Sequence, residues 1–88
     1  MTVEKVARIT ALLEAALAPV SLLVTDEGHK HAGHSGEGKG HFHVAIVSTV
    51  FAGKSSIQRH RLVYTAVASM MPDDIHALAI DATPPESH

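Results

Sequence analysis

Apolar residues recur at three-to-four spacing from residue 3 to residue 17, with Val6, Ile9, Leu13 and Ala16 on one line and Leu12 and Leu17 widening it. Residues three and four apart stack on one helix face, so this spacing predicts an amphipathic helix. Glu4 in its first turn suits the positive end of the helix dipole. Pro19 ends it, because the residue before a proline avoids helical backbone angles. Ser21–Asp26, SLLVTD, is a short β-type run. His41–Thr49, HFHVAIVST, is the strongest strand, rich in β-branched residues and apolar on both faces after His43, as in a central strand. Phe51–Ser56 reads as a turn, with one helical turn before Gly53. Ser55 and Gln58 form an S-x-x-Q capping box that opens a second long helix. That helix is expected to run to about Met71, with Ile57, Tyr64, Val67 and Met71 near one face and Pro72 ending it. Ile75–Ala82 reads as the last strand, and Thr83–His88 as a flexible tail.

These elements make one α+β domain, residues 1–88, in the order α-β-β-α-α-β. The first two strands form an antiparallel hairpin. A right-handed crossover through the later helices returns the third strand parallel to the second. The expected result is a three-stranded mixed sheet with its helices on one face. The loop inside the hairpin, residues 27–40, is polar, rich in histidine and glycine, and longer than a usual hairpin connection. The topology brings that loop, His41, His43 and His76 to one end of the sheet.

Composition narrows the chemistry. The chain has no Trp, one Tyr and two Phe, so Val, Leu, Ile and Ala are expected to fill a thin core. It has no cysteine, which excludes disulfides, thiolate nucleophiles and Cys-based zinc motifs. A soft-metal site here has to use histidine and borrow sulfur from elsewhere. The formal net charge of −2 does not steer the chain toward nucleic acid or an acidic membrane. No apolar run reaches the ~20 residues that span a bilayer. The first residues lack the continuous apolar core of a signal peptide. The expectation is a cytoplasmic protein with no membrane partner.

Five of the eight histidines fall between His29 and His43. A neutral imidazole is the commonest protein metal ligand. The spacing of His29, His31 and His34 permits ligation without specifying it. A solvated loop that captures metal opportunistically fits the same spacing. His41 and His43 share one strand face, and solvent-facing strand histidines have the same pattern. His76 is in phase with Leu78 and Ile80, which puts it at the rim of the core if that face packs on the helices. Lys54, Arg59 and Arg61 form a basic cluster at a helix start, suited either to a nucleic-acid backbone or to solvent. Gly53-Lys54-Ser55-Ser56 lacks the upstream glycine of a phosphate loop. No nucleophile elbow or oxyanion loop is present, so the chain is expected not to be an enzyme.

HFHVAIVSTVFAGKSSIQRHRLVYTAVA, from His41, and the later IHALAIDATPP closely resemble the BolA family. The pattern is specific: a strand ending in V-S, then F-x-G-K, then an R-H-R-L-V-Y helix, then an I-H-A-L strand. VTDEGHKHAGH resembles the family's first strand and loop, so the resemblance covers nearly the whole chain. It implies a KH-like fold of the second type, whose two later helices resemble a helix-turn-helix. It also implies two activities. One is partnership with a monothiol, CGFS-type glutaredoxin, sharing a bridging 2Fe–2S cluster with glutathione. The family's ligands in that complex are the histidine of the I/V-H-A strand and a His or Cys from the loop between the first two strands. Carried onto this sequence, these are His76 and, aligned back from Asp26-Glu27, His31, with His34 close beside it. The other activity is DNA binding and stress-linked transcriptional regulation, which here would use Lys54, Arg59 and Arg61. The leading expectation is a non-enzymatic iron–sulfur trafficking or sensing adaptor, a monomer or weak homodimer when alone. The DNA-binding regulator is the alternative, and a zinc or nickel reservoir would need only the loop.

Overall fold

The computed structural model describes residues 2–27, 40–71 and 73–85. Its elements are α1 (Thr2–Leu17), β1 (Ser21–Asp26), β2 (His41–Val47), α2 (Ser56–Ala66) and β3 (Ala77–Thr83), with single 3-10 turns at Thr49–Phe51 and Ala68–Met70. The strands form one sheet in the order β1-β2-β3. β1 pairs antiparallel with β2, Val24 opposite Val44, and β2 pairs parallel with β3, Val44 beside Ile80. The α+β class and the mixed three-stranded sheet are as expected. The first of the two expected middle helices is only the 3-10 turn before Gly53.

Alternation along β2 divides the sheet into two faces. Phe42, Val44 and Ile46 are buried. Register aligns them with Leu22 and Val24 on one side and with Leu78, Ile80 and Ala82 on the other. This face packs on Ile9, Leu13 and Leu17 of α1, on Val63 of α2 and on Val67 just beyond its end. In α1 it is Leu17 rather than Ala16 that completes the buried stripe. Both phenylalanines and Met70 join the aliphatic core. The opposite face carries His41, His43, Ala45 and Val47 of β2, all partly exposed.

α1 ends in a left-handed residue. Ala18 has φ 44°, and its N–H donates to the Glu14 carbonyl at 3.1 Å. This position favours glycine, and Pro19 follows, since it cannot extend the helix. A β-carbon in this conformation costs ~1–2 kcal/mol, against which glycine's larger entropy loss counts. Ala18 is exposed, so no packing is lost on substitution. Ala18→Gly is therefore expected to raise stability by about 0.5–1 kcal/mol, read as a higher urea midpoint at unchanged slope.

β2 stops at Val47, before the expected Thr49, because Ser48 is used as a junction. It is fully buried. Its Oγ donates to the Leu17 carbonyl at 2.6 Å and accepts from the Val50 N–H at 3.3 Å. Its N–H donates to the Thr83 carbonyl at 3.1 Å. One serine thus joins the ends of α1 and β3 to the 3-10 turn.

The capping box of α2 is formed: the Gln58 N–H donates to Ser55 Oγ at 3.2 Å, and the Ser55 N–H to Gln58 Oε1 at 2.9 Å. The helix is shorter than expected. Val67 leaves helical angles at φ −110°, ψ 14°, and a 3-10 turn carries the chain to Met70. Its buried stripe is Val63, Val67 and Met70, whereas Ile57 and Tyr64 are 65% and 37% exposed. Arg59 holds the inward position one turn before Val63, and its guanidinium donates to the Ala82 carbonyl at 3.2 Å. A charged residue on the inner face hides the phase of the apolar stripe. The Tyr64 hydroxyl donates to the Leu78 carbonyl at 3.3 Å.

β3 begins at Ala77, two residues later than expected, because Ile75 is drawn wholly into the core and its N–H bonds the Met70 carbonyl at 3.1 Å. The strand then continues through Thr83, which pairs with Val47. The segment expected as a tail therefore starts inside the sheet. Residues 86–88 lie outside the described residues.

Candidate metal-ligand site

Both ends of the long loop are fixed by backbone bonds. The Glu27 N–H donates to the His41 carbonyl at 2.8 Å, which extends the β1–β2 ladder past Asp26. At the other end, the buried Gly40 accepts at its carbonyl from the His76 N–H at 2.8 Å and from the Ala77 N–H at 3.1 Å. Gly40 has φ 75°, a conformation glycine adopts without penalty. Residues 28–39, with His29, His31 and His34, lie outside the described residues, and so do the ligand assignments made to them.

His76 is the residue just before β3, not a strand residue at the rim of the core, and it is exposed. Its backbone is tied to Gly40 while its ring is open to solvent. The turn leading into it is anchored twice. The Met70 carbonyl accepts from the Asp74 N–H at 2.8 Å and the Ile75 N–H at 3.1 Å. The Asp74 carboxylate lies 3.8 Å from Lys5 Nζ and 4.0 Å from the Arg8 guanidinium on α1. These pairs are long and part-exposed, so each contributes no more than about 1 kcal/mol. They orient the turn more than they stabilise it.

His41 and His43 stand on the open sheet face, beside Ala77 and Ala79 in register. His41, His43 and His76 therefore share the end of the sheet from which the loop leaves, as the topology implied. Among the described residues, no three His, Asp or Glu side chains come together as a metal-binding group. The described residues alone therefore do not make a three-ligand site at His76. An exposed imidazole on a pinned backbone is free to be shared.

The basic cluster does not form one surface. Lys54 is exposed on the turn before α2. Arg59 is half-buried against β3 through its bond to Ala82. Arg61, two residues further along the helix, instead lines a groove between α1 and α2 with Leu12, Leu17 and Leu62. Gly40 is the site residue that pattern reading misses. Its signal, a glycine directly before a strand, is masked by the other glycines of the loop.

No helix among the described residues is long and apolar enough to cross a membrane. The family model described as BolA-like protein matches residues 13–87. The BolA domain of SufE1 from Arabidopsis thaliana superposes with a TM-score of 0.81 and 43% identity, covering 92% of each chain. BolA-like protein 1 of Mus musculus is 46% identical over 79 residues, which is 90% of this chain and 57% of that protein. The DNA-binding transcriptional regulator BolA of Escherichia coli (strain K12) is 40% identical over 73 residues, 83% of this chain and 69% of that one. The chain spans 23% of the full Arabidopsis SufE-like protein 1 and little more than half of the mouse relative. With a family match from residue 13 to residue 87 and the mixed sheet of BolA domains beneath it, the chain belongs to the BolA family.

Proposed function

We propose that the protein is a non-enzymatic iron–sulfur trafficking or sensing adaptor. It binds a monothiol, CGFS-type glutaredoxin and co-ligates a bridging 2Fe–2S cluster through histidine. The observation that carries this reading is His76, an exposed imidazole on a backbone held by Gly40. The chain has no cysteine, so the sulfur donors come from the glutaredoxin and from glutathione. His76 and one of His31 or His34 supply the nitrogen donors. Histidine ligation raises a cluster's potential relative to thiolate ligation. Imidazoles also detach on protonation, which suits a cluster that is passed on. A cytoplasmic location, and a monomer or weak homodimer before the partner binds, go with this reading. Anaerobic reconstitution with a monothiol glutaredoxin and glutathione tests it by visible circular dichroism. A spectrum distinct from the glutaredoxin homodimer's is expected, and an unchanged homodimer spectrum overturns the reading.

The name of the Escherichia coli relative favours a second reading, DNA binding. Lys54 and Arg61 are the exposed cations available for it, while Arg59 is engaged with Ala82. Lys54→Ala combined with Arg61→Ala is expected to weaken DNA binding and flatten its salt dependence, because lost phosphate contacts release fewer counterions. Arg59→Ala is expected to lower thermal stability instead. A salt titration in which the double variant matches the wild type removes this surface as the DNA site.

A further inference from the structure

We propose that Gly40 is the positioning residue for His76, holding the imidazole and the exit of the 28–39 loop in one fixed relation. The inference deepens the reading of His76 as a cluster ligand and rests on it. Three observations converge on this residue. Its single carbonyl oxygen takes the N–H groups of both His76 and Ala77, at 2.8 and 3.1 Å, so the entry to β3 hangs from it. Its φ of 75° lies in the left-handed region, where a side chain strains the backbone. The space a side chain would need is also taken. A β-carbon on Gly40 would stand 2.9 Å from His76 N, 3.1 Å from the Asp74 carbonyl oxygen and 3.2 Å from His76 Cγ.

Two of those three atoms are backbone, and the third is the root of the imidazole ring. None is the yielding end of a flexible side chain. A substitution at Gly40 therefore moves His76 itself, as well as straining the loop's end. Only glycine lets the loop exit, the turn at Asp74 and the ligand ring come this close.

Gly53 provides the control. Its φ is 74°, and nothing lies within 4 Å of a β-carbon built there. Gly53→Ala carries the same backbone strain without the contact. The experiment compares Gly40→Ala, Gly40→Asn and Gly53→Ala. Asparagine tolerates the left-handed region better than alanine, so Gly40→Asn keeps the contact with less strain and carries the test if Gly40→Ala does not fold. The first readout is the ring ¹⁵N–¹H correlation spectrum of the isolated protein, with the His76 signals identified by their loss in His76→Ala. Both Gly40 variants are expected to shift those signals, and Gly53→Ala to leave them in place. The second readout is the cluster complex with glutaredoxin. Groups that orient a ligand typically change metal affinity by about 10–100-fold, and the Gly40 variants are expected to weaken the complex on that scale. Unmoved His76 signals in the Gly40 variants overturn the positioning role. Moved signals, with a complex indifferent to the Gly40 variants and to His76→Ala alike, uphold the positioning role and overturn the ligand reading.

Discussion

His76→Ala is expected to remove the mixed-cluster spectrum formed with glutaredoxin while leaving the fold intact. The ring is exposed, so its deletion opens no cavity. The backbone bond from His76 to Gly40 survives the change, because it uses no side-chain atom. A surface change of this kind costs within about 0.5 kcal/mol. On the proposed reading the change removes one of the chain's nitrogen donors to the cluster, and the chain has no cysteine to replace it. Loop variants should be milder. On the proposed reading His34, three residues from His31 in sequence, substitutes for it, so His31→Ala should give a weaker, more labile cluster and the double change should lose it. Visible circular dichroism and heterodimer stability under anaerobic conditions rank the three. A wild-type heterodimer spectrum from His76→Ala would remove the ligand assignment and make the DNA-binding reading the better one.

Phe51→Ala should do the reverse, destabilising the fold without touching the ligand. Phe51 is fully buried and stands first among the largest enclosed side chains. It is held in the 3-10 turn by the bond from its N–H to the Ser48 carbonyl at 3.1 Å. Truncating a buried Phe costs about 3–5 kcal/mol through lost transfer energy and the cavity left behind. At ~0.05–0.15 kcal/mol per residue, a domain of this length has only about 4–13 kcal/mol in total. Urea unfolding should show the midpoint falling by about a quarter or more at unchanged slope. A loss under about 1 kcal/mol would mean that the neighbouring side chains close the cavity. Phe51 follows the far end of β2, away from His76. Below the unfolding transition the variant should still form the wild-type cluster spectrum.

β1 is found at the residues its pattern predicts, because Pro19 and Gly28 bracket a short β-type run centred on Leu22, Leu23 and Val24. The capping box of α2 was equally legible, since Ser55 and Gln58 act through local hydrogen bonds. The inner face of α2 was not legible. Arg59 sits on it for a bond to Ala82, twenty-three residues away, and no local period reports a partner so distant. The same holds at β2, where Ser48 reads as strand but closes onto Leu17. His76 was visible as a candidate through its motif. What holds it was not, because Gly40 matters through the side chain it lacks.

The bonds at Glu27 and Gly40 also separate the loop's chemistry from the domain's folding. The ladder itself brings the two ends together, so the intervening residues bear only their own closure entropy. Doubling the length of such a segment costs only about 0.6 kcal/mol. Residues 28–39 are in this sense a cassette. A change of length or composition between these two bonds is therefore expected to leave the β1–β2 register in place, which opens this position to engineering.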